Sequence, residues 1–189
     1  MASLNDPRRV IGNVIQLGTI ETVDRADATC TVRVGEIVTG EVPWLAPRAG
    51  KTRIWSPPAI GEQCILLCPE GDMEGGFAVL GLFSDANPAP STEDIELIRF
   101  GDGAILSYDA SAHLLVAQLP AGGKVRLDAP GGITITGPVK ITGPVTIDGD
   151  LDGTGTATWS QDVVGGGKSL KGHIHTKVQA GTAVSGPPQ

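Results

Sequence analysis

Val125-Arg-Leu-Asp-Ala-Pro-Gly-Gly-Ile-Thr-Ile-Thr-Gly-Pro-Val-Lys-Ile-Thr-Gly-Pro-Val-Thr-Ile-Asp-Gly-Asp-Leu-Asp-Gly-Thr-Gly-Thr-Ala-Thr-Trp159 places apolar or small residues at every odd position. The even positions hold Thr, Asp, Lys, Arg, Pro and a single Gly, so strand alternation runs for 35 residues. A second period is nested inside it: Gly131, Gly137, Gly143, Gly149 and Gly155 fall six apart. Ile135-Thr-Gly-Pro-Val-Lys repeats as Ile141-Thr-Gly-Pro-Val-Thr and degenerates into Ile147-Asp-Gly-Asp-Leu-Asp. An ordinary sheet strand ends after about 10 residues, and Pro138 and Pro144 lack the N–H that a central strand donates. The pattern describes short segments bent at each Gly, winding round an axis with the odd side chains inward.

Two architectures use such a hexad. In a single-chain β-helix about three hexads make one coil, so the five hexads here leave too few neighbours to bury a core. In an intertwined trimer each chain supplies one face, and the missing strand partners come from the other two. The count favours the trimer. Alone, the segment would be a ribbon with open edges and no interior, which couples folding to assembly.

Composition fits a β-rich assembly subunit. The chain has 189 residues with 27 Gly, 14 Pro, 4% aromatic and 19% charged residues, room for one domain of ordinary size and something elongated. A formal charge of −7 per chain repels phosphate backbones, which argues against nucleic-acid binding. Cys30, Cys64 and Cys68 are odd in number. Cys64 and Cys68 would lie roughly 13 Å apart along one strand, beyond disulfide reach, so all three read as reduced core residues. No stretch approaches the roughly 18 apolar residues of a membrane-spanning helix. Met1 to Gly18 lacks the parts of a secretory signal, which predicts synthesis and assembly in a reducing cytoplasm.

The first 85 residues have another texture. Val14–Val23, Thr29–Val34, Glu41–Leu45, Glu62–Cys68 and Gly76–Phe83 are short apolar or alternating runs between Asp, Gly and Pro clusters, which predicts a small five-stranded barrel of the OB type. Arg25-Ala-Asp-Ala and Pro69-Glu-Gly-Asp-Met-Glu-Gly-Gly read as turns, and Ser56-Pro-Pro-Ala as an extended crossing. Ser84-Asp-Ala-Asn-Pro-Ala-Pro-Ser is a stiff, helix-hostile linker. Glu96 to Tyr108 then resumes alternation around Gly101-Asp-Gly.

The C-terminus carries Gly172-His173-Ile174-His175. In an extended segment residues two apart project to the same side, so one chain offers two imidazoles to one point and three chains offer six. Six neutral nitrogens on a threefold axis suit an octahedral ion such as iron or nickel better than tetrahedral zinc. Without a threefold axis, the plainer reading is two solvated polar residues.

These residues together resemble a known family: the central spike, or baseplate assembly protein V, of contractile phage tails, with relatives in R-type bacteriocins. Arg48-Ala-Gly-Lys-Thr-Arg-Ile-Trp55 followed by Pro57-Pro58-Ala-Ile-Gly61-Glu62-Gln63 resembles the family's OB signature, continued by Gly81-Leu-Phe and Asn87-Pro. Arg99-Phe-Gly-Asp-Gly-Ala-Ile-Leu-Ser-Tyr108 resembles its entry into the β-helix. Lys168-Ser-Leu-Lys-Gly-His-Ile-His with Val184-Ser-Gly-Pro-Pro188 resembles its apex. The resemblance implies an all-β chain, with an OB-fold domain and N-terminal arm over residues 1–87 and a linker over 88–98. An intertwined trimeric β-helix over 99–165 and a pointed metal-binding apex over 166–189 follow. It implies iron held octahedrally by His173 and His175 of three chains, with calcium or chloride as further candidate ions on the axis. It also implies a non-enzymatic homotrimer at the tail baseplate tip of a virion or bacteriocin particle. Such a spike engages the baseplate hub and tail tube proteins and punctures the outer membrane of a target bacterium.

Other motifs carry less. Gly165-Gly-Gly-Lys168-Ser169 imitates the end of a phosphate-binding loop, but Asp162 stands where that motif needs Gly, and no helix follows. Asp148-Gly-Asp150-Leu-Asp152-Gly153 imitates the start of an EF-hand loop, yet Trp159 occupies the twelfth position. These carboxylates read as decoration of the outer face, with a calcium ion as the alternative. His113 reads as a surface turn residue, and Trp44, Trp55 and Trp159 as packing residues too far apart in sequence for a stacking platform. Arg48, Lys51 and Arg53 form either a solvated face or a docking surface for the hub. A trimeric hexapeptide-repeat acyltransferase with a histidine general base is the alternative function, and it needs many more hexads and no OB signature.

Overall fold

Alternation in Ile15–Asp24 makes a ten-residue strand, β1, that serves two partners. Its first half, Ile15 to Thr19, pairs antiparallel with β5 (Gln63–Leu67), and its second half, from Thr19 to Asp24, pairs with β2 (Thr29–Val34). Between Ile20 and Thr22 the register against β2 shifts by one residue, leaving Glu21 as a bulge that bends the strand from one partner towards the other. Gly18 sits at the close approach of β1 and β2. A Cβ there would collide with Val32 Cγ1 and lie 3.1 Å from the Arg33 carbonyl oxygen.

In the turn after β1, the Asp24 carboxylate accepts the N–H groups of Ala26 at 2.8 Å and Asp27 at 3.3 Å, and Ala28 takes φ +57° to re-enter β2. Two short strands, β3 (Ile37–Val38) and β4 (Val42–Pro43), both return along β2. Between them the buried Thr39 hydroxyl accepts the Val32 N–H at 2.9 Å and donates to the Gly40 carbonyl at 2.7 Å, supplying the ladder contact that the gap would leave unmade. β6 (Phe77–Leu82) pairs with β5. A parallel bridge between Trp44 and Ala78, with the Leu45 N–H on the Ala78 carbonyl at 2.8 Å, closes the circuit. The order β1-β2-β4-β6-β5 with one parallel contact is the topology of an OB barrel, with β3 added on β2.

The barrel core follows from the inward positions of these strands. Ile20, Val32, Val42 and Leu66 are buried together with Ala78 and the three thiols, and Trp44 is 9% exposed. Cys30, Cys64 and Cys68 are free, as their spacing predicts. Burial is the main cause that pushes Cys64 up to about 11, with Cys30 and Glu62 adding to it.

The structure is a computed structural model that describes residues 12–174 and 181. The chain divides into two units, Met1–Leu127 and Asp128–Gln189. The first also contains an antiparallel meander: β7 (Glu96–Arg99), β8 (Ile105–Asp109) and β9 (Leu114–Gln118). Its first turn is the anticipated Gly101-Asp-Gly, where Asp102 accepts the Ala104 N–H at 3.0 Å. In the second, Asp109 accepts from Ser111 N–H, Ser111 hydroxyl and Ala112 N–H, and exposed His113 closes it at φ +53°.

The second unit looks different. From residue 128 to 163 no strand ladder forms within one chain, and every residue but Val163 is exposed. Gly137, Gly143 and Gly149 take φ +127°, +128° and +146°, so the bends recur every six residues where the hexads predict them. The odd-position residues Ile135, Val139, Ile141, Val145, Ile147 and Leu151 are 52–74% exposed in the single chain. Among the described residues of this unit, the strands are β10 (Val164–Gly165) and β11 (Lys168–Ser169).

Candidate metal centre

β10 and β11 form a two-residue hairpin whose tip is Gly166 and Gly167, with φ +56° and +78°. Positive φ at both central positions is the mirror-image turn that suits strand twist, and it requires glycine-like residues. The glycine run that imitates a phosphate-binding loop is therefore this hairpin tip.

Asp162 stands just before the hairpin, and its carboxylate ties both sides together. Oδ1 accepts the Val163 N–H at 2.8 Å and the Lys171 N–H at 3.0 Å. The Ser169 hydroxyl, then the backbone donors of the turn, hold the Asp162 carboxyl below its usual range. Ser169 Oγ in turn accepts the Gly172 N–H at 2.6 Å. Composition and periodicity give Asp162 and Ser169 no prominence. The signal available in the sequence was an Asp placed ahead of a Gly-Gly hairpin.

His173 leaves this turn with its backbone N–H on the Ser169 carbonyl at 3.1 Å. Its ring Nδ1 lies 2.9 Å from the Leu170 carbonyl oxygen and 3.1 Å from that of Ser169. Carbonyl oxygens only accept, so a neutral ring in this setting carries its proton on Nδ1, and the basic lone pair lies on Nε2. A metal-bound imidazole has the same arrangement: one nitrogen donates to a backbone carbonyl and the other coordinates. His173 thus fits a ligand role. His175, its predicted companion, lies outside the described residues, as do residues 1–11 of the predicted N-terminal arm. Among the described residues of one chain no group of three or more His, Cys, Asp or Glu side chains is placed to hold a metal ion. A site at His173 therefore draws its other ligands from beyond these residues or from other chains.

Elsewhere, Arg48, Lys51 and Arg53 are exposed on a small loop closed by an Ala49–Arg53 bridge. Trp44 and Trp55, 11 positions apart, do meet, with ring centroids 5.6 Å apart and planes at 53°. Sequence distance misleads there, because the loop after Trp44 doubles back. Trp55 packs on Trp44 yet remains 60% exposed, and Trp159 is 64% exposed in the single chain. Asp148, Asp150 and Asp152 are exposed, as is every residue from 128 to 162 in the single chain.

A closed five-strand barrel followed by a hexad-repeat segment defines a recognisable class. Residues 16–83, from β1 through the end of β6, match the family described as the type VI secretion system/phage-baseplate injector OB domain. This domain resembles the OB domain of phage baseplate spike proteins. Along its length it is 29% identical, over 211 aligned positions that cover 98% of each chain, to the spike protein of Escherichia phage P2.

Proposed function

We propose that the protein is a homotrimeric, membrane-piercing central spike at the tip of a contractile tail baseplate, a mechanical part and not an enzyme. The observation that carries this reading is the unbroken apolar stripe of the hexads. Six large aliphatic side chains on one face, each more than half exposed in the single chain, need partners, and identical neighbouring chains supply the same repeat in register. Similarity to a phage spike over 98% of both chains supports the same conclusion. On this reading residues 1–87 dock on the baseplate hub and tail tube, and residues 99–165 form the trimeric β-helix. Residues 166–189 form the apex, and the particle assembles in the host cytoplasm. Sheath contraction supplies the force that drives the tip through the outer membrane.

His173 and His175 of three chains would hold one metal ion, for which iron is the family-based expectation. Bound there, the ion supplies coordinate bonds that tie three short C-terminal segments into one rigid point. Elemental analysis of protein prepared without chelators should find one metal ion per three chains. His173→Ala with His175→Ala should empty the site while the trimer persists, because the apolar axis below does not depend on the ion. A double variant that keeps stoichiometric metal, or a wild type that carries none, would count against the site.

A further inference from the structure

We propose that Asp162 is a positioning residue for the apex: by closing the turn that carries Ser169 and Leu170, it fixes His173 in the Nδ1–H tautomer inside each single chain, before any metal ion or partner chain arrives. The inference deepens the metal-site reading above and rests on it. A free neutral imidazole in water favours the other tautomer, with its proton on Nε2. In that state Nδ1 would turn a lone pair towards the carbonyl oxygens of Ser169 and Leu170, so the observed contacts at 3.1 and 2.9 Å require the proton on Nδ1.

Those two carbonyls are aimed by the turn that Asp162 organises. Its Oδ1 joins the Val163 N–H on one side of the hairpin to the Lys171 N–H on the other, at 2.8 and 3.0 Å. Ser169 lies within that turn: its hydroxyl receives the Gly172 N–H at 2.6 Å, while its carbonyl receives the His173 N–H at 3.1 Å. Gly172 completes the fit, since a Cβ there would lie 3.0 Å from Ser169 Oγ and push it away. All of these contacts fall between residues 162 and 173 of one chain, so the ring orientation does not wait for assembly. A ligand held this way meets an ion with its Nε2 lone pair already directed, and outer contacts of this kind typically change metal affinity by about 10- to 100-fold.

The test uses the full-length protein, labelled with 15N in the histidine rings and stripped of metal by a chelator. His173 is resolved from His113 and His175 by single substitution. In wild type the ring 15N shifts should report the Nδ1–H tautomer. Asp162→Ala should move His173 to a mixture rich in Nε2–H and, after reloading with iron, release the ion to a competing chelator about 10- to 100-fold more readily. Ser169→Ala, which removes only the acceptor of the Gly172 N–H, should act in the same direction. Asp162→Asn, whose amide oxygen still accepts both N–H groups, should restore most of the wild-type behaviour. Wild type that holds metal with His173 in the Nε2–H form overturns the inference and leaves the metal reading standing. So do alanine variants that match wild type in both measurements. Wild type that shows the Nδ1–H tautomer but takes up no metal overturns the metal reading, and the role of Asp162 falls with it.

Discussion

In the barrel, Ile20, Val32 and Leu66 are 1%, 0% and 0% exposed, whereas Ile135, Ile141 and Ile147 of the hexads are 70%, 65% and 52% exposed. Both regions alternate apolar and polar residues, so the difference does not come from the pattern. It comes from where the strand partners are. In the barrel, turns such as Arg25–Ala28 return the chain, and each apolar face meets another face of the same chain. In the hexads a glycine bend at every sixth residue carries the chain onwards, and Pro138 and Pro144 remove donors that a returning strand would use. Alternation specifies which side chains want burial. Connectivity specifies whether one chain can provide it.

The largest effect should come from attacking the face that one chain cannot bury. Ile141→Asp with Val145→Asp places six charges per trimer on the proposed axis and should abolish assembly, seen by analytical ultracentrifugation, while the barrel keeps its β-type circular dichroism. A stable wild-type monomer would break the comparison outright. Next, a fragment ending near Ala86 should fold alone, because the barrel core lies wholly within residues 20–78. If that fragment is disordered while one ending at Leu127 folds, the meander of β7, β8 and β9 is part of the folding unit and the proposed division near residue 88 is misplaced.

Within the barrel, Leu66→Ala should lower the unfolding free energy by about 2–5 kcal/mol, measured by denaturant titration of tryptophan fluorescence, since Leu66 is fully buried. The smallest effect concerns pH. Cys64 is raised from 9.0 to about 11 in the folded barrel, so the folded state holds that proton more tightly than the unfolded chain does. Its stabilising contribution is complete below pH 9 and is lost as pH rises from 9 to about 11, on the order of 3 kcal/mol at ~1.4 kcal/mol per pH unit. Unfolding midpoints measured between pH 8 and 11 should fall, and Cys64→Ala should flatten that fall.

Much of the barrel was legible because its strands are long enough to alternate. The five anticipated runs meet β1, β2, β4, β5 and β6 to within a residue or two at most ends. β3 escaped because two residues, Ile37 and Val38, are too few to show a period. The closing bridge between Trp44 and Ala78 joins residues 34 apart in sequence, and no local pattern encodes such a pairing. At the apex, the histidine pair was visible as a motif, but the means of holding His173 was not. It depends on one carboxylate reaching N–H groups 1 and 9 residues away.

By itself the sequence determined the alternation, the six-residue glycine period, the reduced thiols and the family of the N-terminal domain, because side-chain periodicity and turn chemistry are local properties of the chain. Tertiary structure alone decided that β4 and β6 close the barrel in parallel, that Trp55 lies against Trp44, and that His173 directs Nδ1 at two carbonyls. These depend on how segments return through space. The free energy that selects such a return is a sum over burial and hydrogen bonds between distant residues, and no short window of sequence contains it.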